Sequence, residues 1–191
     1  MKILVVGGAG YIGSHFVLEA SEKGNEVTVF DDLSSGSKLN LNDNIALTVG
    51  STLSKKDLDE VMSSDNFDVA VHLAAFKAAG ESMLNPGRYA TNNIIGGLNL
   101  IESCVKNNIQ NVIFSSSAAV YGTPQYTPID ETHPLLPINY YGYSKLIIEQ
   151  NLKWYSKLKG IRYASLRYFN AAGYDSDCLL YTSPSPRDDE L

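Results

Sequence analysis

Short apolar runs alternate along the chain with longer amphipathic ones. Lys2–Val6 is apolar without interruption after its lysine, rich in branched residues and stopped by Gly7-Gly8, the pattern of a strand buried on both faces. Residues 11–23 read as a helix that ends at Gly24-Asn25. Residues 26–30 and 44–49 follow as strands, Lys55–Ser63 as a short helix and residues 68–73 as a fourth strand. Residues 86–107 read as a long helix whose first turn accommodates Pro86, because the N–H that proline lacks has no partner there. Residues 111–115 form a fifth strand, Tyr140–Lys159 a helix stopped by Gly160, and residues 161–167 a sixth strand. Strands and helices in alternation predict an α/β fold with a doubly wound parallel sheet. Trp154 and Tyr155 are expected to pack, and His72 to be a hydrogen-bonded core residue at a strand end.

Composition keeps this reading and removes others. With 191 residues, 44% hydrophobic and 19% charged, and a net charge of −6, the chain has the make-up of a folded domain rather than a disordered one. No apolar run reaches the ~20 residues that cross a bilayer, and residues 3–6 are too short for a signal-peptide core. Two cysteines, Cys104 and Cys178, cannot make a disulfide scaffold. A cytoplasmic, reduced setting without a membrane partner is therefore expected. The acidic balance and the lack of a basic stripe speak against nucleic acid as a partner. His15 and His133 have no cysteine or acid cluster at metal spacing, so no metal is expected. From about Ser176 the periodicity stops, and Pro184 and Pro186 forbid regular helix. Residues 1–175 are thus expected to form one domain and residues 176–191 a disordered tail.

The chemistry begins at Gly7-Gly8-Ala9-Gly10-Tyr11-Ile12-Gly13, between the first strand and the first helix. Glycines there permit a tight turn and let backbone approach a pyrophosphate, which the helix N-terminus attracts. Asp31 ends the second strand at the spacing such a turn requires, with Asp32 beside it. A carboxylate at that place accepts hydrogen bonds from ribose hydroxyls and repels a 2′-phosphate, which favours NAD over NADP. Tyr141 and Lys145 lie four apart on one helix face. A phenol near its ordinary pKa of ~10 is a weak base at neutral pH, and a neighbouring ammonium favours its ionised form. Ser117 is expected just past the fifth strand, at the end of the sheet that faces the ligand crevice, where its hydroxyl can donate to a substrate oxygen. Glycine turn, acid, serine after strand five and Tyr–Lys pair on the next helix follow in order along the chain, and that order strengthens each reading.

The glycine turn, Ser117 and Tyr141-Gly-Tyr-Ser-Lys145 resemble the extended short-chain dehydrogenase/reductase superfamily. Within it, His72-Leu-Ala-Ala-Phe-Lys-Ala-Ala-Gly-Glu-Ser82, Phe114-Ser-Ser-Ser-Ala-Ala-Val-Tyr-Gly122 and Leu166-Arg-Tyr-Phe-Asn-Ala-Ala-Gly173 are similar to the signatures of the UDP-glucose 4-epimerase family. The resemblance runs from Met1 to about Asp175 and implies a Rossmann-like NAD-binding fold. It implies that Gly7, Gly10, Tyr11, Ile12 and Gly13 meet the pyrophosphate, that Asp31 holds the adenosine ribose, and that Asp32, Leu33, Ser34, Ser35 and Gly36 loop around the adenosine. Leu73, Ala74, Ala75, Phe76 and Lys77 would line the cofactor after strand four, Lys77 reaching the phosphates or the sugar nucleotide, with Asn92 supporting the site. Ser117, Tyr141 and Lys145 would be catalytic, touching both cofactor and substrate, while Phe169 would lie near the nicotinamide and Asn170 would bind the UDP-sugar. The implied reaction inverts C4 of UDP-glucose to UDP-galactose through a transient 4-keto sugar and bound NAD. Two-fold pairing through the helices at 86–107 and 140–159 would make a homodimer.

The chain also departs from that family. After strand three the family carries an acid that contacts adenine, and here the residues are Gly50-Ser51-Thr52, so that Ser51 takes its place beside Thr52. The family continues for over a hundred residues beyond Gly173-Tyr-Asp, so the chain is expected to be the cofactor half of a larger enzyme, truncated before the substrate domain and inactive alone. A dehydratase would need an acid pair where Ala118 and Ala119 stand. An epimerase for an N-acetylated or pentose UDP-sugar, an idle NAD-binding fragment and a plain alcohol dehydrogenase remain as alternatives.

Overall fold

The computed structural model describes residues 1–172. The tail expected over 176–191, with Cys178, lies outside the described residues. Six parallel strands make one sheet: β1 (Lys2–Val6), β2 (Glu26–Asp31), β3 (Ala46–Val49), β4 (Val69–His72), β5 (Asn111–Ser117) and β6 (Arg162–Tyr168). Their order is β3-β2-β1-β4-β5-β6, so the chain winds outward from β1 in one direction, returns to β4 and winds outward in the other. In such a sheet the carboxyl ends of β1 and β4 diverge at the reversal and leave a crevice. The register pairs Ile3 with Val27 on one side and with Val69 on the other.

Helices cover both faces, which explains the unbroken apolar run of β1. Leu4 and Val6 point into a core with Ala70, Val112 and Phe114, closed by Leu58 and Met62 of α2 (Lys55–Ser63), Leu100 and Cys104 of α5 (Gly96–Lys106) and Ile148 and Leu152 of α6 (Tyr140–Lys159). Ile3 and Val5 point the other way, to Val27, Val29, Val69 and Val71 beneath Val17 and Ala20 of α1 (Tyr11–Glu22). Burial pushes the Cys104 thiol up to about 12, so this cysteine behaves as a small apolar filler. Ser54 starts α2 by accepting the Asp57 N–H at 3.2 Å.

Four details differ from the sequence pattern. The single helix expected over 86–107 is α4 (Pro86–Tyr89), a π-helical stretch Ala90–Ile95 and α5, preceded by a six-residue helix α3 (Ala79–Leu84) that the pattern does not show. Strand β5 runs on to Ser117, because Ser115, Ser116 and Ser117 continue the ladder opposite Leu166, Arg167 and Tyr168. Ser117 is therefore the last residue of the strand rather than a residue past it. Trp154 is 60% exposed on the outer face of α6, with the Lys157 ammonium 5.3 Å from its ring, whereas Tyr155 does pack against the core. No helix among the described residues is long and apolar enough to cross a membrane.

Candidate active site

The turn after β1 is compact because two positions have no side chain. Gly7 has φ +86°, and a Cβ on it would stand 2.4 Å from the Ala74 nitrogen, so the turn after β1 rests directly on the turn after β4. A Cβ on Gly13 would stand 2.1 Å from the Gly7 oxygen, so α1 packs onto the turn it leaves. Gly10 occupies the N-cap of α1 and offers no side chain to accept from the first-turn amides. A helix end finished in this way presents backbone donors and the positive end of its dipole.

Asp31 fixes the opposite wall. Its carboxylate is buried and accepts the Ala9 N–H and the Leu33 N–H, both at 2.9 Å, tying the glycine turn to the end of β2. Asp32 accepts the Ser34 N–H at 2.9 Å and shapes the loop that follows. One cleft runs over these elements at the reversal of the sheet. It is lined by Gly7, Gly10, Tyr11, Ile12, Gly13, Asp31, Asp32, Ser34, Ser35, Thr52, Leu73, Ala74, Ala75, Phe76, Lys77 and Asn92, with Val6, Phe30, Gly50 and Ala171 added by the fold. Leu33 instead turns into the core on the α1 side, and Gly36 abuts Ala9, where a Cβ would lie 2.7 Å from backbone. The Ser51 hydroxyl accepts the Leu53 N–H at 3.2 Å and closes the turn into α2 rather than lining the cleft.

Ser117, Tyr141, Lys145, Phe169 and Asn170 lie outside that lining, on β5, on α6 and just after β6. Tyr141 and Lys145 are 6% and 3% exposed. The Lys145 Nζ donates to the Ser115 carbonyl at 2.7 Å and stands 5.8 Å from the Tyr141 ring centre. Ser117 accepts the Ala119 N–H at 3.2 Å. Phe169 is 57% exposed and Asn170 is exposed.

Several residues hold this group that the sequence pattern does not single out. The Tyr141 N–H donates to Ser82 Oγ at 3.0 Å, and the Tyr141 carbonyl accepts from Ser144 Oγ at 2.7 Å. Asn93, in the π-helical stretch, donates to Ser144 Oγ and clasps both the N–H and the carbonyl of Phe76. The helix that carries the tyrosine is thereby tied to the cleft wall. Glu149 continues the four-residue spacing of Tyr141 and Lys145 and accepts from Ser116 Oγ and from Arg167. That pairing is the main reason the Arg167 guanidinium is held even above its usual range. His72 is buried at the end of β4, but its Nδ1 finds no partner, which corrects the expectation of a hydrogen-bonded ring. Burial first, and the Lys145 charge second, push its pKa down to about 3, so the ring is neutral.

The model of the NAD dependent epimerase/dehydratase family matches residues 3–181. A UDP-glucose 4-epimerase of Lactobacillus helveticus is 40% identical over 177 residues, which are 93% of this chain and 54% of the relative. A crystal structure of UDP-glucose 4-epimerase from Brucella ovis in complex with NAD superposes with a TM-score of 0.89 at 41% identity, covering 91% of this chain and 53% of that one. The UDP-Glc/GlcNAc 4-epimerase of Campylobacter jejuni superposes with a TM-score of 0.86 at 39% identity, covering 97% and 58%. The chain spans about half the length of the curated relatives it matches.

Proposed function

The chain belongs to the NAD dependent epimerase/dehydratase family, and from that premise we propose that it carries the cofactor and proton-transfer side of a UDP-glucose 4-epimerase. The observation that carries this reading is the buried Lys145 beside Tyr141, held on β5, the strand next to the β4 whose turn lines the cleft. The residues fit NAD. The cradle left by Gly7 and Gly13 and the open N-terminus of α1 suit a pyrophosphate, and the Asp31 carboxylate at the cleft wall suits a ribose diol. Bound there, NAD would supply an acceptor and donor of hydride. Lys77 and Asn92, also on the cleft wall, would hold the phosphate and nicotinamide side.

The chain's own part is proton transfer and positioning. Tyr141 would take the proton of the sugar C4 hydroxyl and return it, with the Lys145 ammonium favouring the phenolate. Ser117 would donate to the same sugar oxygen, and Asn170 and Lys77 would bind the UDP-sugar. UDP held firmly while the sugar is free to turn would let this chain present either face of C4, so that inversion would need no net oxidation. Ala118 and Ala119 leave no acid pair beside Ser117, which favours epimerisation over dehydration. UDP-glucose is the proposed substrate, with an N-acetylated UDP-sugar next, since one similar structure is of a UDP-Glc/GlcNAc enzyme. Exposed Tyr143 and Trp154 on α6 and Ile95 before α5 support a homodimer through these helices.

The test is Tyr141→Phe in a full-length version of the protein, read as conversion of UDP-glucose and of UDP-N-acetylglucosamine. The variant should lose at least about a hundredfold in turnover, and near-normal turnover would remove the tyrosine from its role.

A further inference from the structure

Tyr141, Lys145 and Glu149 stand at successive four-residue steps on the buried side of α6. A lysine and a glutamate so spaced are neighbours within pairing distance. Yet the Lys145 ammonium donates to the Ser115 carbonyl, and both Glu149 oxygens are occupied elsewhere. Arg167 on β6 meets the carboxylate with two donors, Nε to Oε1 at 3.0 Å and Nη2 to Oε2 at 2.7 Å. Ser116 Oγ adds a bond to Oε1, and the remaining Arg167 arm donates to the Tyr121 hydroxyl at 3.0 Å. Such a fork is directional and strong, and it cancels the carboxylate charge where water is scarce.

We propose that Arg167 is a positioning residue that sequesters the Glu149 carboxylate from Lys145, so that the lysine charge acts on Tyr141. The role of Tyr141 and Lys145 rests on the function proposed above; the sequestration itself does not. Among the described residues, the other charged and titratable groups around α6 leave room for this division. His72 at the end of β4 is neutral. Tyr121, after β5, is engaged by Arg167. On α3 and α4, Glu81 is paired with Arg88 and accepts from the Tyr89 hydroxyl. The Glu149–Arg167 pair is thus the charge balance nearest the Tyr141–Lys145 step on the β5 and β6 side.

The test needs neither cofactor nor substrate. The full chain is labelled with 13Cζ-tyrosine, the Tyr141 resonance is assigned with Tyr141→Phe, and its phenolate fraction is read at one alkaline pH. In Arg167→Met the unmasked carboxylate should lower that fraction about tenfold. Adding Glu149→Gln to Arg167→Met should restore it, which a loss of packing would not do. Should Arg167→Met fail to fold, Glu149→Gln alone decides: with the guanidinium uncompensated, the fraction should rise several-fold. An unchanged fraction in a folded Arg167→Met, a double variant that stays low, or an unchanged Glu149→Gln overturns the proposal. Failure of Tyr141→Phe to lose turnover would instead strike at the catalytic reading and leave this result standing.

Discussion

Helices α1 and α6 both begin at the carboxyl end of the sheet, and they are finished in opposite ways. At α1 the N-cap is Gly10, which supplies no side chain, and the first turn faces the cleft. At α6 the N-cap is Asn139, whose side chain accepts the Gly142 N–H at 2.8 Å, and Ser82 accepts the Tyr141 N–H beside it. The α1 end carries no side-chain cap; the α6 end uses its donors internally and presents side chains instead. On the proposed function, the same local geometry would serve recognition by backbone on the β1 side and chemistry by side chain on the β5 side. The β1 side buries one carboxylate, Asp31, whereas the β5 side buries Lys145 and Glu149, with His72 on β4 between the two.

The largest expected effect comes from making α1 resemble α6. Gly10 has φ −78°, and a Cβ on it meets only the Gly7 oxygen at 3.6 Å, so a side chain fits. Gly10→Asp should place a capping carboxylate where a pyrophosphate would lie and weaken NAD binding at least about a hundredfold. Its effect on unfolding in urea should stay within about 0.5 kcal/mol. Unchanged NAD affinity would erase the distinction between the two helix ends.

Next comes acid. His72 holds its folded-state pKa near 3, well below the ordinary histidine value of 6.5. The unfolded chain therefore takes up a proton that the folded chain refuses. The stability this site confers is whole above pH ~6.5 and is lost progressively as pH falls toward about 3. Between pH 7 and pH 5 the unfolding free energy should drop by about 2 kcal/mol on this account. His72→Gln should flatten that part of the profile, and an equal slope in the variant would move the acid sensitivity elsewhere. The smallest effect is Asn139→Ala, which should cost about 1 kcal/mol of stability while leaving NAD affinity alone. A matching loss of affinity would show that the two helix ends are not independent.

The two sides were unequally readable from the chain. Strand β1 and the helix Lys55–Ser63 stand where the pattern places them, since apolar runs, glycines and a serine cap mark their limits directly. The glycine turn and Asp31 are legible for the same reason: their role depends on what the backbone must do. The end of β5 is not legible, because Ser115-Ser116-Ser117 has no apolar signal. Its strand exists through β6 and through the partners α6 brings to it. The π-helical stretch that aims Asn93 leaves no mark on hydrophobic spacing. Glu149 and Arg167 are 18 positions apart and meet only when α6 lies across the sheet. Supporting residues of this kind are visible in three dimensions because their pairing is a property of the fold.

The central place of β1 has a consequence for how the protein is made. Its first neighbour, β2, is encoded just after α1, but Lys2 meets Asp68 across 66 positions. At ribosomal rates of roughly 5–20 residues per second, that interval lasts on the order of several seconds. Through it, β1 has one bonded flank and one bare flank of unpaired N–H and C=O groups, on a strand whose faces are apolar, open to any passing strand. The segment that is deepest in the finished sheet is thus the most adhesive one during synthesis, and the growing chain depends on β4 arriving, or on a chaperone, to shield it.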